Sequence, residues 1–135
     1  MNKKRMFTPE EATEFVPFLE TELLFLRQQK KSISEKFYRL QIIKSHVDHT
    51  GGSDYAEQEI FELECQLEFL HLEYELHMNS IELRGIQIKD IQLGLADFPA
   101  LVDDVEVLLC WKTGEKIVSH YHGVEEGYLG RRKLC

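Results

Sequence analysis

Apolar residues recur through the first half of the chain at alternating three- and four-residue steps. From Ala12 the series runs Val16, Leu19, Leu23, Leu26, Lys30, Ile33, Phe37, Leu40, Lys44 and Val47, interrupted only by the two lysines. That spacing puts its members on one helical face, as a heptad seam does. Thr8-Pro9-Glu10-Glu11 supplies a start, with a Thr cap, a proline suited to the first turn and a glutamate three residues after the cap. Helix 1 is predicted over 8–49. A kink is expected near Pro17, whose missing N–H removes one backbone bond. Asp48 to Ser53, with its Gly51-Gly52 pair, reads as a loop. Asp54 and Glu57 open helix 2. Ile60, Leu63, Leu67, Leu70, Tyr74, His77 and Ile81 repeat the spacing, and Gly85 stops it, giving 54–84. So short a loop makes the helices antiparallel neighbours.

Beyond Gly85 the period changes. Ile86-Gln87-Ile88-Lys89 alternates as a half-buried strand does. Asp90 to Ala100 holds Gly94, Asp97 and Pro99 and reads as an irregular, partly buried loop. Val105 to Trp111 is a strand, Thr113-Gly114 a two-residue turn, and Glu115 to Tyr121 the returning strand. In that register Leu109 faces Val118 and Val107 faces His120. His120 and His122 then share a face with Val105, Val107, Leu109 and Trp111, while Leu108, Cys110 and Tyr121 take the other. The expected class is α+β: a long antiparallel two-helix hairpin followed by a small antiparallel β unit and tail over 86–135, in one domain of 135 residues.

The net charge of −8 is unevenly placed. Residues 50–83 hold nine Asp/Glu and no Lys or Arg. The second half of helix 1 carries Arg27, Lys30, Lys31, Lys36, Arg39 and Lys44 against Glu35 alone. Antiparallel pairing lays this basic stretch beside the acidic one and fixes the orientation. The acidic balance argues against nucleic acid. Phe15, Phe18, Phe25, Phe61, Phe69 and Leu72 lie off the seam and need cover. The β unit and a second copy can supply it, so a coiled-coil-like homodimer through the hairpin is expected. No apolar run suits a membrane span. The basic start is followed by Pro9, Glu10, Glu11 and Glu14 where a signal peptide needs apolar residues, so a cytoplasmic protein is expected. Cys65, Cys110 and Cys135 show no CxxC spacing, and Cys135 lies in no prenylation box.

Catalytic motifs are sparse: no GxSxG and no glycine-rich phosphate loop occurs. Whether the protein is an enzyme stays open, and no cofactor is identified. His120 and His122 project from one strand face, and Glu125 and Glu126 follow, so these four form a candidate site for a divalent metal. Cys110 is set aside as a ligand because the expected register puts it on the opposite face. Glu68 and His71 form one E-x-x-H on helix 2, where a di-metal bundle needs two, and the seam leaves Glu68 pointing outward. The basic tail Gly127 to Lys133 either binds an anion or folds back on the acidic helix.

The stretch from Gly85 to Ala100, the run Val107 to Glu115 and the segment His122 to Arg131 resemble a family of uncharacterised proteins, domain of unknown function 2203. Phe7 to Ala12 resembles that family's F-T-x-E-E-A start. Lys89, Asp90, Gly94, Asp97, Cys110, Trp111, Glu115, His122, Glu126 and Arg131 stand at matching motif positions. Tyr121-His122 stands where the family has W-H, and His120 has no counterpart. The resemblance implies no activity, substrate or cofactor. Two readings follow. One is a non-enzymatic, self-associating interaction or scaffold protein built on the hairpin. The other is a small-ligand or metal-binding protein whose site gathers Asp90, Asp97, His122, Glu125, Glu126 and Arg131 on the β unit.

Overall fold

The computed structural model describes residues 4–134; Cys135 and the first three residues of the basic start lie outside the described residues. Three helices, Pro9–Glu14 (α1), Val16–Thr50 (α2) and Asp54–Leu83 (α3), precede five strands. The strands are Gln87–Asp90 (β1), Leu95–Val102 (β2), Val105–Lys112 (β3), His120–Gly123 (β4) and Arg132–Lys133 (β5). The fold is α+β, with the helical hairpin and antiparallel sheet that the periodicities predict. No helix among the described residues is long and apolar enough to cross a membrane. The chain divides into two compact units, residues 26–77 and residues 1–25 with 78–135.

Within 26–77, α2 and α3 run antiparallel. Gln29 donates to the Leu70 carbonyl and to Glu73, Lys36 to Gln66 and Arg39 to Glu59. The α3 seam residues Ile60, Leu63, Leu67, Leu70, Tyr74 and His77 are all buried or half-buried, as expected. The α2 seam differs in phase. It passes through Leu26, Gln29, Ile33, Lys36, Leu40, Ile43 and Val47, while Lys30, Phe37 and Lys44 are exposed. Gln29 occupies a seam position because its amide finds two acceptors across the interface, which removes the penalty of burying it. The opposite charges meet in the ion pairs Arg39–Glu59 at 2.9 Å and Lys44–Glu64 at 3.7 Å. Both are solvated, and each contributes at most about 1 kcal/mol.

In the other unit the start of α1 is capped as its sequence dictates. The Glu11 N–H donates to Thr8 Oγ1, and the Thr8 N–H to the Glu11 carboxylate. The expected kink is a one-residue interruption: α1 ends at Glu14 and α2 begins at Val16, with Phe15 between them in the helical backbone region and its N–H bonded to the Ala12 carbonyl. Pro17 offers no N–H to the Thr13 carbonyl, so the helix cannot run straight through.

The sheet is antiparallel in the order β1-β2-β3-β4-β5. Two expectations are corrected here. Residues 95–100 are not an irregular loop; they belong to the eight-residue β2, which pairs with β3 along its whole length. Asp103 and Asp104 make the connecting turn with φ of 51° and 64°, the left-handed pair that a two-residue hairpin requires. Pro99 is tolerated because it lies beyond the last β1 partner, on the side where its carbonyl accepts from the Phe7 N–H. The second correction is the β3–β4 register. The Thr113-Gly114 turn forms, with the Glu115 N–H bonded to the Lys112 carbonyl. Residues 115–119 then leave the ladder. Trp111 Nε1 donates to the Glu115 carbonyl, the Lys112 N–H to the Glu115 carboxylate, and the Val118 N–H to Thr13 Oγ1. Pairing resumes three residues out of step, so Leu108 faces His122 and Cys110 faces His120. An odd slip exchanges the two faces of a strand.

One sheet face therefore carries Ala96, Phe98, Ala100, Val107, Leu109 and Trp111, all buried. Phe7 meets Phe98 on it, edge to face at 5.1 Å. The opposite face carries Leu95, Asp97, Leu108, Cys110 and His122, also buried. Gly85 joins α3 to β1 at φ +89°, and a Cβ there would sit 3.1 Å from the Arg5 Cβ. Gly85→Ala is expected to lower stability by about 1–2 kcal/mol, the cost of a left-handed L-residue. Urea unfolding reads it, and an unchanged midpoint would contradict this account of the turn.

Candidate metal centre

Register brings three side chains together. Asp97 on β2 pairs directly with Cys110 on β3, and His122 on β4 lies diagonally across from Cys110, opposite Leu108. All three rise from adjacent strands onto one face. Asp97 and His122 are 2% exposed and Cys110 1%. One ligand atom from each lies within 4.8 Å of the others, the only such group among the described residues. They border a small cavity of about 150 Å³, lined also by Lys89, Leu95, Glu126, Gly127 and Tyr128.

The hydrogen bonds define the protons. His122 Nδ1 lies 2.8 Å from the Gly123 carbonyl oxygen, which can only accept, so Nδ1 carries a hydrogen. His122 Nε2 lies 3.0 Å from Asp97 Oδ2, and these two atoms hold one proton between them. Burial pushes the Asp97 carboxyl above its ordinary range, against the pull of His122 and Lys89. Burial, with the Asp97 charge beside it, pushes the Cys110 thiol up to about 11. Cys110 is thus a thiol in the metal-free protein at neutral pH.

The same geometry suits a cation. Metal–ligand bonds of about 2.0–2.3 Å put tetrahedral ligand atoms roughly 3.3–3.7 Å apart; His122 Nε2 and Asp97 Oδ2 are 3.0 Å apart and all three ligand atoms lie within 4.8 Å. The Nδ1–H bond to a backbone carbonyl fixes the ring with Nε2 inward, the usual support for a ligating histidine. Thiolate, imidazole and carboxylate together are a zinc-class donor set.

The other candidates have different positions. His120 shares the face, but its Nδ1 lies 3.1 Å from Ser119 Oγ and 3.7 Å from Glu115 Oε2, outside the ligand group. Glu125 is exposed in the turn after β4. Glu126 borders the cavity, yet its carboxylate accepts from the Gly123 N–H at 2.7 Å and pairs with Arg132 at 3.0 Å. A Cβ at Gly123 or Gly130 would come within 2.9 Å of that carboxylate, so both glycines make room for it. Asp90 accepts from the Leu93 N–H and closes the turn between β1 and β2. Arg131 grips both oxygens of Glu115, at 3.1 and 3.0 Å, and lies over the Tyr128 ring. Burial raises the Glu115 carboxyl, but hydrogen bonds from Arg131 and the Lys112 N–H, with the Arg131 and His120 charges, leave it lowered overall. The tail therefore pins to the β unit rather than to α3. Glu68 and His71 are both exposed.

Of the predicted set, Asp97 and His122 converge. Cys110 is the member of the group that sequence reasoning set aside, on the strength of a register three residues away from the real one. Asp97, Cys110 and His122 all stand within the motif stretches that carried the family resemblance, which was the available signal.

Fold and cluster define an α+β protein with a buried Asp/Cys/His group at the centre of its sheet. The chain belongs to the family described as an uncharacterized conserved protein (DUF2203), whose model matches residues 5–134. No curated protein and no solved structure matches it.

The cysteines should differ sharply in reactivity. Cys65 is exposed and Cys110 buried. Native alkylation at neutral pH, read peptide by peptide in a mass spectrometer, is expected to modify Cys65 and spare Cys110, since the thiolate is the nucleophile. Equal labelling of the two would contradict the burial of Cys110.

Proposed function

We propose that this is a metal-binding protein in which Asp97, Cys110 and His122 hold one zinc-class divalent cation. The observation that carries the reading is the convergence of three different ligand types, all buried, from three adjacent strands. An entering divalent ion displaces the proton shared by Asp97 and His122 and the thiol proton of Cys110. Two protons leave for two positive charges, so the buried site keeps its net charge. Three protein ligands leave a fourth position for a small ligand from the cavity beside Lys89 and Tyr128, as in zinc sites that bind ligands.

Cobalt(II) is the direct probe. The metal-free full chain is expected to take up cobalt with the visible bands of a tetrahedral site and a near-ultraviolet thiolate-to-cobalt band. Cys110→Ser should abolish the thiolate band. No uptake, or an unchanged spectrum in Cys110→Ser, would remove the proposal.

A further inference from the structure

The 26–77 hairpin carries apolar side chains that its own seam does not use. An antiparallel helix pair has two flat sides. Arg39 and Glu59 mark one, Lys44 and Glu64 the other. Ile42 of α2 lies three residues after Arg39, and Phe69 and Leu76 of α3 lie three residues plus one and two heptads after Glu59, which puts them on the first side, with Tyr38 and Leu72 at its outer margin. These five are 46%, 61%, 59%, 67% and 56% exposed. A groove on the same side is lined by Lys36, Cys65, Gln66, Phe69 and Leu70. With large side chains of about 150–250 Å² each, the exposed apolar area is roughly 500–600 Å². That is at the upper end of the patches that monomers expose, and most of the ~800 Å² that one partner gives to a stable interface.

We propose that a second copy of this chain seats on this side, each α3 lying along the partner's α2 in a four-helix bundle. Charge selects both the occupant and its orientation. On this side α3 presents Glu59, Glu62 and Glu73 and no Lys or Arg. On the same side α2 presents Lys31, Lys36 and Arg39 against Glu35, while Lys30 and Lys44 lie on the other side. A surface with acid-flanked apolar residues calls for a basic amphipathic helix, and the chain contains one. Two hairpins can stack about a twofold axis in two ways. An axis across the helices sets α3 on α3 and gathers like charges, which is unfavourable. An axis along the helices sets each acidic α3 on the partner's basic α2, antiparallel to it. The contact is isologous and closes on itself.

Sedimentation of the full chain at micromolar concentration tests this. The wild type is expected to run as a dimer. Phe69→Glu with Leu76→Glu should halve the mass while circular dichroism keeps its helical signal. Phe61→Glu, on the opposite side, should leave the dimer intact. If the double variant loses helix, Ile42→Glu on α2 makes the same test. Raising the salt concentration should weaken the dimer, because it screens the α2–α3 attraction. A monomeric wild type, including one that binds an added basic helical peptide instead, would overturn the proposal. So would a dimer that survives the Phe69 and Leu76 changes.

Discussion

Asp97→Ala is expected to lower the stability of the metal-free protein by about 3–5 kcal/mol, the range for removing one partner from a buried pair. Both side chains are 3% exposed and meet at 3.0 Å. His122 cannot turn away, since its Nδ1 is held by the Gly123 carbonyl. Without the carboxylate, the buried Nε2 loses the partner it has in the fold. Asp97→Asn separates this effect from the loss of a ligand. Its amide can donate to Nε2, so the cost should fall to about 1 kcal/mol, while the anionic ligand is gone. Urea unfolding in the presence of a chelator measures both, with the midpoint moving and the slope unchanged. Equal losses for the two variants would mean that the hydrogen bond to His122 does not hold this side of the sheet together.

Trp111→Ala should cost about as much, about 3–5 kcal/mol, for a different reason. Trp111 is fully buried on the opposite sheet face, against Ala96 in the β2–β3 register. Removing an aromatic from a packed core forfeits its transfer energy and leaves a cavity. Trp111 also donates to the Glu115 carbonyl at 2.8 Å, and the Glu115 side chain holds Arg131. The substitution therefore loosens the 115–119 excursion as well. Trp111→Phe keeps most of the volume and loses the hydrogen bond, so its loss should be smaller. Trp111 is the only tryptophan, so unfolding must be followed by circular dichroism. A Trp111→Ala midpoint close to wild type would refute the packing described here.

The helices were legible because their signals are local. Thr8 and Glu11 form both halves of the capping box, Pro17 breaks the first helix, and the three-four spacing locates the α3 seam. The α2 phase was not legible, because polar Gln29 takes a seam position through bonds to α3 that no local pattern encodes. The sheet was harder. Gly94, Asp97 and Pro99 look like loop residues. In the fold they sit in or beside β2, where Pro99 needs no ladder bond and Asp97 has His122. The Asp103-Asp104 turn lacks the glycine that usually announces such a hairpin. The β3–β4 register turns on long-range bonds, from Trp111 to Glu115 and from Val118 to Thr13. Two of the three residues of the site followed from residue chemistry, since Asp97 and His122 were named. Cys110 did not, because one odd register slip decides which face it takes.

Metal content tests the central claim most directly. The full chain, loaded with zinc and dialysed against metal-free buffer, is expected to retain about one zinc per chain by elemental analysis, the outcome for a site of three buried ligands. Asp97→Asn, shown to be folded, should retain little, and His122→Ala less still. A wild-type chain that retains none, or an Asp97→Asn chain that retains as much as wild type, would contradict a metal centre at Asp97, Cys110 and His122.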